Sequence, residues 1–299
     1  MSPAGWQELK VETTKAHVAL LEDWFFEQGA VAVTLEDNAD EPLLEPGPGE
    51  TPLWEHVRLV ALFVEGIDLQ GVINAIPVDK ITASADAPVH VPDQDWERAW
   101  MDNFHPMRMG ERLWICPSWI DPPDSKAVNV MLDPGLAFGT GTHPTTAMCL
   151  GELDAVIRPG DRVVDYGCGT GILAIAALKL GAQLALGVDN DPQAITASHQ
   201  NAERNGINTA QFDVVMPGDE AISDWAGTAD VVVANILAGP LAALAPQLRQ
   251  LLKPGGRLVL AGLLDHQAQR LIEAYTPKVS LHAANDLEGW VLLAGDRCA

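Results

Sequence analysis

Residues 163–177 hold the feature that most narrows what this chain can fold into. Val163 and Val164 lead into Asp165-Tyr166-Gly167-Cys168-Gly169-Thr170-Gly171, and Ile172-Leu173-Ala174-Ile175-Ala176-Ala177 follows at once. A strand that closes on an acid, then a glycine loop, then a helix start is the nucleotide-binding turn of a doubly wound parallel sheet. The glycines are spaced G-x-G-x-G, not the G-x-G-x-x-G of a dinucleotide pyrophosphate loop. So tight a loop lets the backbone at Gly167 and Gly169 approach a small ligand closely. An acid beside it disfavours a pyrophosphate and suits a cation.

A second acid stands one helix and one strand further on, where Leu184-Ala185-Leu186-Gly187-Val188 ends in Asp189. At the end of the second strand of such a sheet, an acid accepts hydrogen bonds from both ribose hydroxyls. Asp191-Pro192 then opens a helix, with proline in its first turn. S-adenosylmethionine fits this set, because it carries a ribose, a sulfonium and an ammonium but no phosphate. The expected fold is therefore α/β, a Rossmann-like class I S-adenosylmethionine-dependent methyltransferase sheet.

The 299 residues suffice for two domains, each with its own core. No apolar run approaches the ~20 residues of a membrane span, and acids close to the N-terminus argue against a signal peptide. The four cysteines (Cys116, Cys149, Cys168 and Cys298) show neither metal nor disulfide spacing, which points to a reducing cytoplasm and to no metal site. Cys168 reads either as a reactive thiol or, more simply, as a small side chain fitted to a tight turn. A net charge of −23 argues against binding a phosphate backbone. Residues 1–90 alone hold 16 Asp and Glu against four Lys and Arg, a net of −12. That surface either steers a basic partner or serves solubility; charge does not decide between them.

Three parts follow from the pattern. Residues 1–91 read strand, helix, strand, strand, helix, strand: Trp6–Val11, residues 15–28, Val31–Leu35, Val57–Val64, Leu69–Ile76 and a strand near 81–91. This order predicts a small N-terminal α+β domain, ferredoxin-like, with Glu41–Pro52 as a loop between its central strands. Residues 92–111 are expected to be a helical linker, with Trp96, Trp100 and Phe104 on one helical stripe, packing on a neighbouring domain or binding a ligand. From residue 112 to 299 runs the expected cofactor-binding domain, entered through strands Arg112–Pro117 and Ala127–Leu132. Its far end is read as a turn at Lys253–Gly256, a strand Arg257–Ala261 and a last strand Gly289–Leu293, the final two forming an antiparallel edge pair.

Two further segments border the expected cofactor. Asp133 to Thr146 holds three glycines and four threonines and cannot form a regular helix or strand. It can fold over the methionine end of the cofactor, with Phe138 walling the methyl and a threonine-capped helix starting at Thr145-Thr146. The alternative is an ordinary surface loop. Asp230 to Leu237 is an apolar strand that reaches Asn235 at its carboxyl end, which borders the ligand crevice in a parallel sheet. Its Asn-Ile-Leu turn can orient an incoming amine; otherwise Asn235 simply caps a turn.

These residues resemble the bacterial ribosomal protein L11 methyltransferases, a family of protein lysine methyltransferases. The resemblance rests on Asp133 through Thr146 (DPGLAFGTGTHPTT), Asp165 through Ile175 (DYGCGTGILAI), Asn235 through Leu241 (NILAGPL) and Trp96 through Pro106 (WERAWMDNFHP). It implies an N-terminal domain that grips the ribosomal protein and a C-terminal domain that binds S-adenosylmethionine. It also implies transfer of several methyl groups to lysine side chains and the N-terminal amine of the substrate. Carried onto this chain, cofactor contacts fall at Thr146, Gly167, Asp189 and Asn235.

In the reaction so implied, a neutral amine displaces the sulfonium methyl in line. The protein then supplies alignment and a dry channel. The expected mechanism has no dedicated general base, with the Asn235 turn orienting the amine; His143 is the alternative as a base. Two other readings stay open, a methyltransferase acting on RNA or a small molecule and a noncatalytic adaptor.

Overall fold

The computed structural model describes residues 5–39, 52–91, 104–133 and 143–298. The chain forms two compact units, Met1–Met101 and Asp102–Ala299.

The first unit runs β1 (Trp6–Thr14), a 3-10 turn, α1 (Val18–Glu27), β2 (Ala32–Asp37), β3 (His56–Val64), α2 (Leu69–Ala75) and β4 (Val89–Val91). Its sheet has the order β2-β3-β1-β4, antiparallel throughout, which is the ferredoxin-like arrangement. Val18, Leu21 and Phe25 form the buried stripe of α1 and pack with Leu9, Val11, Leu59 and Phe63 from the sheet. Gly29, at φ 94°, ends that helix in the left-handed conformation. Most of the expected loop 41–52 and all of the linker but residues 104–111 lie outside the described residues. Of the aromatic stripe only Phe104 is described, buried with its ring 6.3 Å from Trp119.

In the second unit β5 (Met107–Arg108), β6 (Leu113–Cys116) and β7 (Val128–Met131) make a small sheet of their own. Helix α3 (Pro144–Val156) follows. The main sheet then builds up through β8 (Arg162–Tyr166), α4 (Ile172–Leu180), β9 (Leu184–Val188), α5 (Pro192–Arg204), β10 (Phe212–Val215) and β11 (Ala229–Asn235). It finishes with α6 (Ala238–Ala243), α7 (Ala245–Leu251), β12 (Leu252–Leu264), α8 (Asp265–Tyr275), β13 (Val279–Leu287) and β14 (Trp290–Arg297). The seven strands lie in the order β10-β9-β8-β11-β12-β14-β13. The first five run parallel, and β14 enters antiparallel between β12 and β13. The expected edge pair is thus a three-strand end: β14 does pair antiparallel with β12, but β13 forms the edge. Its exposed run His282–Leu287 has no apolar alternation to announce it.

Parallel strands covered on both faces read as continuous apolar runs. Val163, Val231, Val233, Val259 and Ala261 face one core with α3 and α4. Their neighbours Val164, Val232, Leu258 and Leu260 face the other with α6, α7 and α8. Strand order reverses between β8 and β11, and there the carboxyl ends of β8, β9 and β11 open a crevice.

Candidate functional site

The glycine loop leaves β8 and is pinned to the end of β9. The N–H groups of Gly167 and Cys168 donate to Val188 O at 2.7 and 3.2 Å. Gly167, Gly169 and Gly171 take φ of 81°, 54° and 75°, a region that side chains other than glycine's enter at a cost. A Cβ at residue 167 would also overlap Cγ2 of Ile236.

Asp189 follows β9 directly. Its Oδ2 accepts a hydrogen bond from Gly169 N at 2.8 Å and its Oδ1 accepts one from Asp191 N at 3.0 Å. Two N–H donors hold the carboxylate in one orientation and leave lone pairs for a ligand. Asp191 then caps α5 by accepting from Gln193 N at 2.8 Å, with Pro192 in the first turn. The inner face of α5 braces the loop from behind: Ser198 Oγ donates to Gly169 O at 3.0 Å and Asn201 Nδ2 to Thr170 O at 2.9 Å. Both side chains are buried. Sequence reading passes over these two, although polar residues three apart on the inward face of an amphipathic helix are a usable signal.

A cavity of about 200 Å³ lies over this loop. Thr146, Gly167, Gly169, Asp189, Asn235 and Ile236 line it. Five of the six residues expected at the cofactor therefore meet in one place, from α3, the glycine loop, the end of β9 and the end of β11. Two of these lining residues are joined directly: Asn235 Nδ2 donates to Thr146 Oγ1 at 3.2 Å. The sixth, Phe138, lies outside the described residues, as does the rest of 134–142.

Helix α3 begins differently from the expectation. Its cap is His143, not a threonine: Nδ1 accepts from Thr145 N at 3.3 Å and sits 2.7 Å from Thr145 Oγ1. Pro144 takes the first helical position, where a missing N–H costs nothing, and so moves the start two residues upstream. The threonines become buried first-turn residues, which is how Thr146 reaches the cavity. The His143 ring packs edge-on against Trp290 at 5.1 Å, and burial lowers its pKa, partly offset by Glu288.

Asp165 also differs from its sequence reading. It is fully buried, with Oδ2 accepting from Ala174 N at 3.1 Å and Oδ1 without a hydrogen-bond partner among the described residues. Burial, opposed by the Ala174 hydrogen bond and reinforced by Asp189, pushes its carboxyl up to about 7. Of the two acids, Asp189 is the one that lines the cavity. Cys168 also lines the cavity, but burial first, then Asp165, pushes its thiol far up, which disfavours the reactive thiolate, and its Sγ lies 3.6 Å from Ser198 Oγ.

The donor set fits the nucleoside of S-adenosylmethionine. A held carboxylate suits a ribose diol, and a glycine cradle that a Cβ would fill suits close backbone approach.

The family model for ribosomal protein L11 methyltransferases (PrmA) matches residues 5–298. The chain belongs to this family. The L11 methyltransferase of Klebsiella pneumoniae (strain 342) is 51% identical over 292 residues, covering 97% of this chain and 98% of the relative. That of Pseudomonas paraeruginosa (strain DSM 24068 / PA7) is 49% identical over 298 residues, 98% and 99% of the two chains. Among solved structures, the ribosomal protein L11 methylase of Lactobacillus delbrueckii subsp. bulgaricus aligns with TM-score 0.57 and 33% identity, covering 66% of this chain and all of that one. As a member of the L11 methyltransferase family, the chain is a methyltransferase, and its main sheet is the class I methyltransferase sheet.

Proposed function

We propose that this chain methylates ribosomal protein L11 on lysine side chains and on the N-terminal amine, several times over, with S-adenosylmethionine as donor. One observation carries the cofactor half of the reading: the Asp189 carboxylate, held by Gly169 N and Asp191 N, faces the same cavity as Thr146 and Asn235. Family membership along nearly the whole chain supports the substrate half.

The cofactor supplies a methyl already activated on a positive sulfur. What remains for the protein is to bind, align and keep water out. Asp189 receives the ribose hydroxyls, and the backbone at Gly167 and Gly169 lies close enough to pack on the nucleoside. Thr146 and Asn235 line the same cavity, and Phe138 is the residue proposed to meet the methyl. Asn235 orients the amine, at the carboxyl end of β11. A lysine amine with pKa ~10.4 must first lose its proton, at a cost of about 4–5 kcal/mol at pH 7 without help. Desolvation in an apolar channel lowers that cost. No general base is assigned; the His143 Nδ1 is engaged at the start of α3.

In this reading residues 1–91 recognise the substrate and residues 112–299 carry the transfer; of the helical linker expected at 92–111, Met107–Arg108 is instead strand β5, paired with β6 of the second unit. The net −12 of residues 1–90 suits a basic ribosomal protein, and the total of −23 weighs against direct nucleic-acid binding. No helix among the described residues is long and apolar enough to cross a membrane; a ribosomal protein substrate supports a cytoplasmic location.

The test is transfer of radiolabelled methyl from S-adenosylmethionine into free ribosomal proteins. A labelled band at the size of L11, lost with Asp189→Ala, is expected. Label in RNA instead removes the substrate assignment.

A further inference from the structure

The turn after β11 is gripped from two sides. On one side lies the cofactor loop, where the missing Cβ of Gly167 leaves the space that Ile236 Cγ2 fills. On the other lies β12, whose pairing with β14 shifts register between Leu260 and Leu263. Asn235 pairs beside Ala261 in the parallel ladder, so Gly262 comes next to Ile236. Gly262 has φ 85°, and a Cβ there would stand 2.5 Å from Ile236 O, 2.8 Å from its C and 3.1 Å from its N. The Ile236 backbone is therefore packed closely on β12 at a place only glycine allows, and its β-branch methyl swings away only by a rotamer change. The same side chain lines the cavity between Gly167 and Asn235.

We infer that Ile236 is a positioning residue whose Cγ2 methyl fixes the spacing between the cofactor loop and the Asn235 turn. This rests on the reading above, in which that turn receives the amine. The spacing decides how the attacking nitrogen meets the methyl. A misplacement of ~1 Å at such a contact can slow transfer on the order of a hundredfold.

The contact belongs to a branch at Cβ, so two substitutions separate it from bulk. Ile236→Val keeps both Cβ branches and loses only the outer carbon, whereas Ile236→Leu keeps the volume and loses the branch. The full-length variants are compared for kcat and KM in methyl transfer to L11, for affinity to S-adenosylhomocysteine by calorimetry, and for melting temperature. The expected result is a kcat lowered about tenfold or more in Ile236→Leu and within about threefold of wild type in Ile236→Val. S-adenosylhomocysteine affinity and melting temperature should stay close to wild type in both. Equal losses in the two variants, or a loss expressed as weaker cofactor binding or lower melting temperature, overturn the positioning role. A wild-type protein that binds S-adenosylhomocysteine but methylates no ribosomal protein overturns the functional reading, and this inference with it.

Discussion

Asp189 Oδ2 accepts a hydrogen bond from the N–H of Gly169 at 2.8 Å, joining the end of β9 to the middle of the glycine loop. One carboxylate thus shapes the loop and faces the cavity at once. Each role has a consequence that can be measured.

Replacing Asp189 with alanine removes the ribose acceptor and the tie to Gly169. Hydrogen bonds to a charged group are worth about 1.5–3 kcal/mol. S-adenosylhomocysteine affinity in calorimetry is therefore expected to fall roughly 10- to 100-fold. An affinity within twofold of wild type would remove Asp189 from the cofactor site.

Gly167→Ala meets two obstacles, a positive φ of 81° and the Ile236 Cγ2 methyl. Together they are expected to cost about 1–3 kcal/mol in urea denaturation. Cofactor binding should weaken as well, since the loop must shift. Full stability with unchanged affinity speaks against the packed geometry at this residue.

The pH dependence of stability carries the signature of Asp165. Burial lifts its carboxyl from 3.8 to about 7 in the folded chain. Between those values the unfolded chain has released the proton while the folded chain keeps it. This group's contribution to stability is thus whole below about 4 and is lost as pH rises to about 7, then stays flat. Asp165→Asn should cancel that slope, so the variant gains stability over wild type as pH is raised, in cofactor-free denaturation curves. Parallel curves for the two proteins from pH 4 to 7 contradict the shifted carboxyl.

His143→Ala removes the α3 cap and the contact with Trp290. A lost cap costs about 1 kcal/mol, visible as a lower melting temperature. Turnover with saturating substrates should stay within about tenfold, because a general base contributes on the order of 100- to 10,000-fold. A drop beyond a thousandfold with cofactor affinity intact would make His143 the base.

Residue order alone made much of this protein legible. Val163-Val164-Asp165 with its three glycines, Val188-Asp189, and the apolar run into Asn235 specify a parallel sheet and its ligand edge, because such strands need unbroken apolar runs and such loops need glycine. The strand and helix order from Trp6 to Val91 is legible for the same reason, through periodicities of two and 3.6. What the tertiary structure alone decided is which partners those residues meet. That β13 takes the edge outside β14 depends on pairing between strands, not on the polar run His282–Leu287. His143 displaces the threonines as cap because Pro144 fits the first turn and the imidazole finds Thr145 N. Asp165 holds a proton far above its usual range because strands and helices close over it, and burial is a property of the assembled chain. Ser198 and Asn201 meet the loop through contacts 29 and 31 residues away, and Ile236 meets Gly167 of the glycine loop and Gly262 of β12, partners that only the assembled chain brings together.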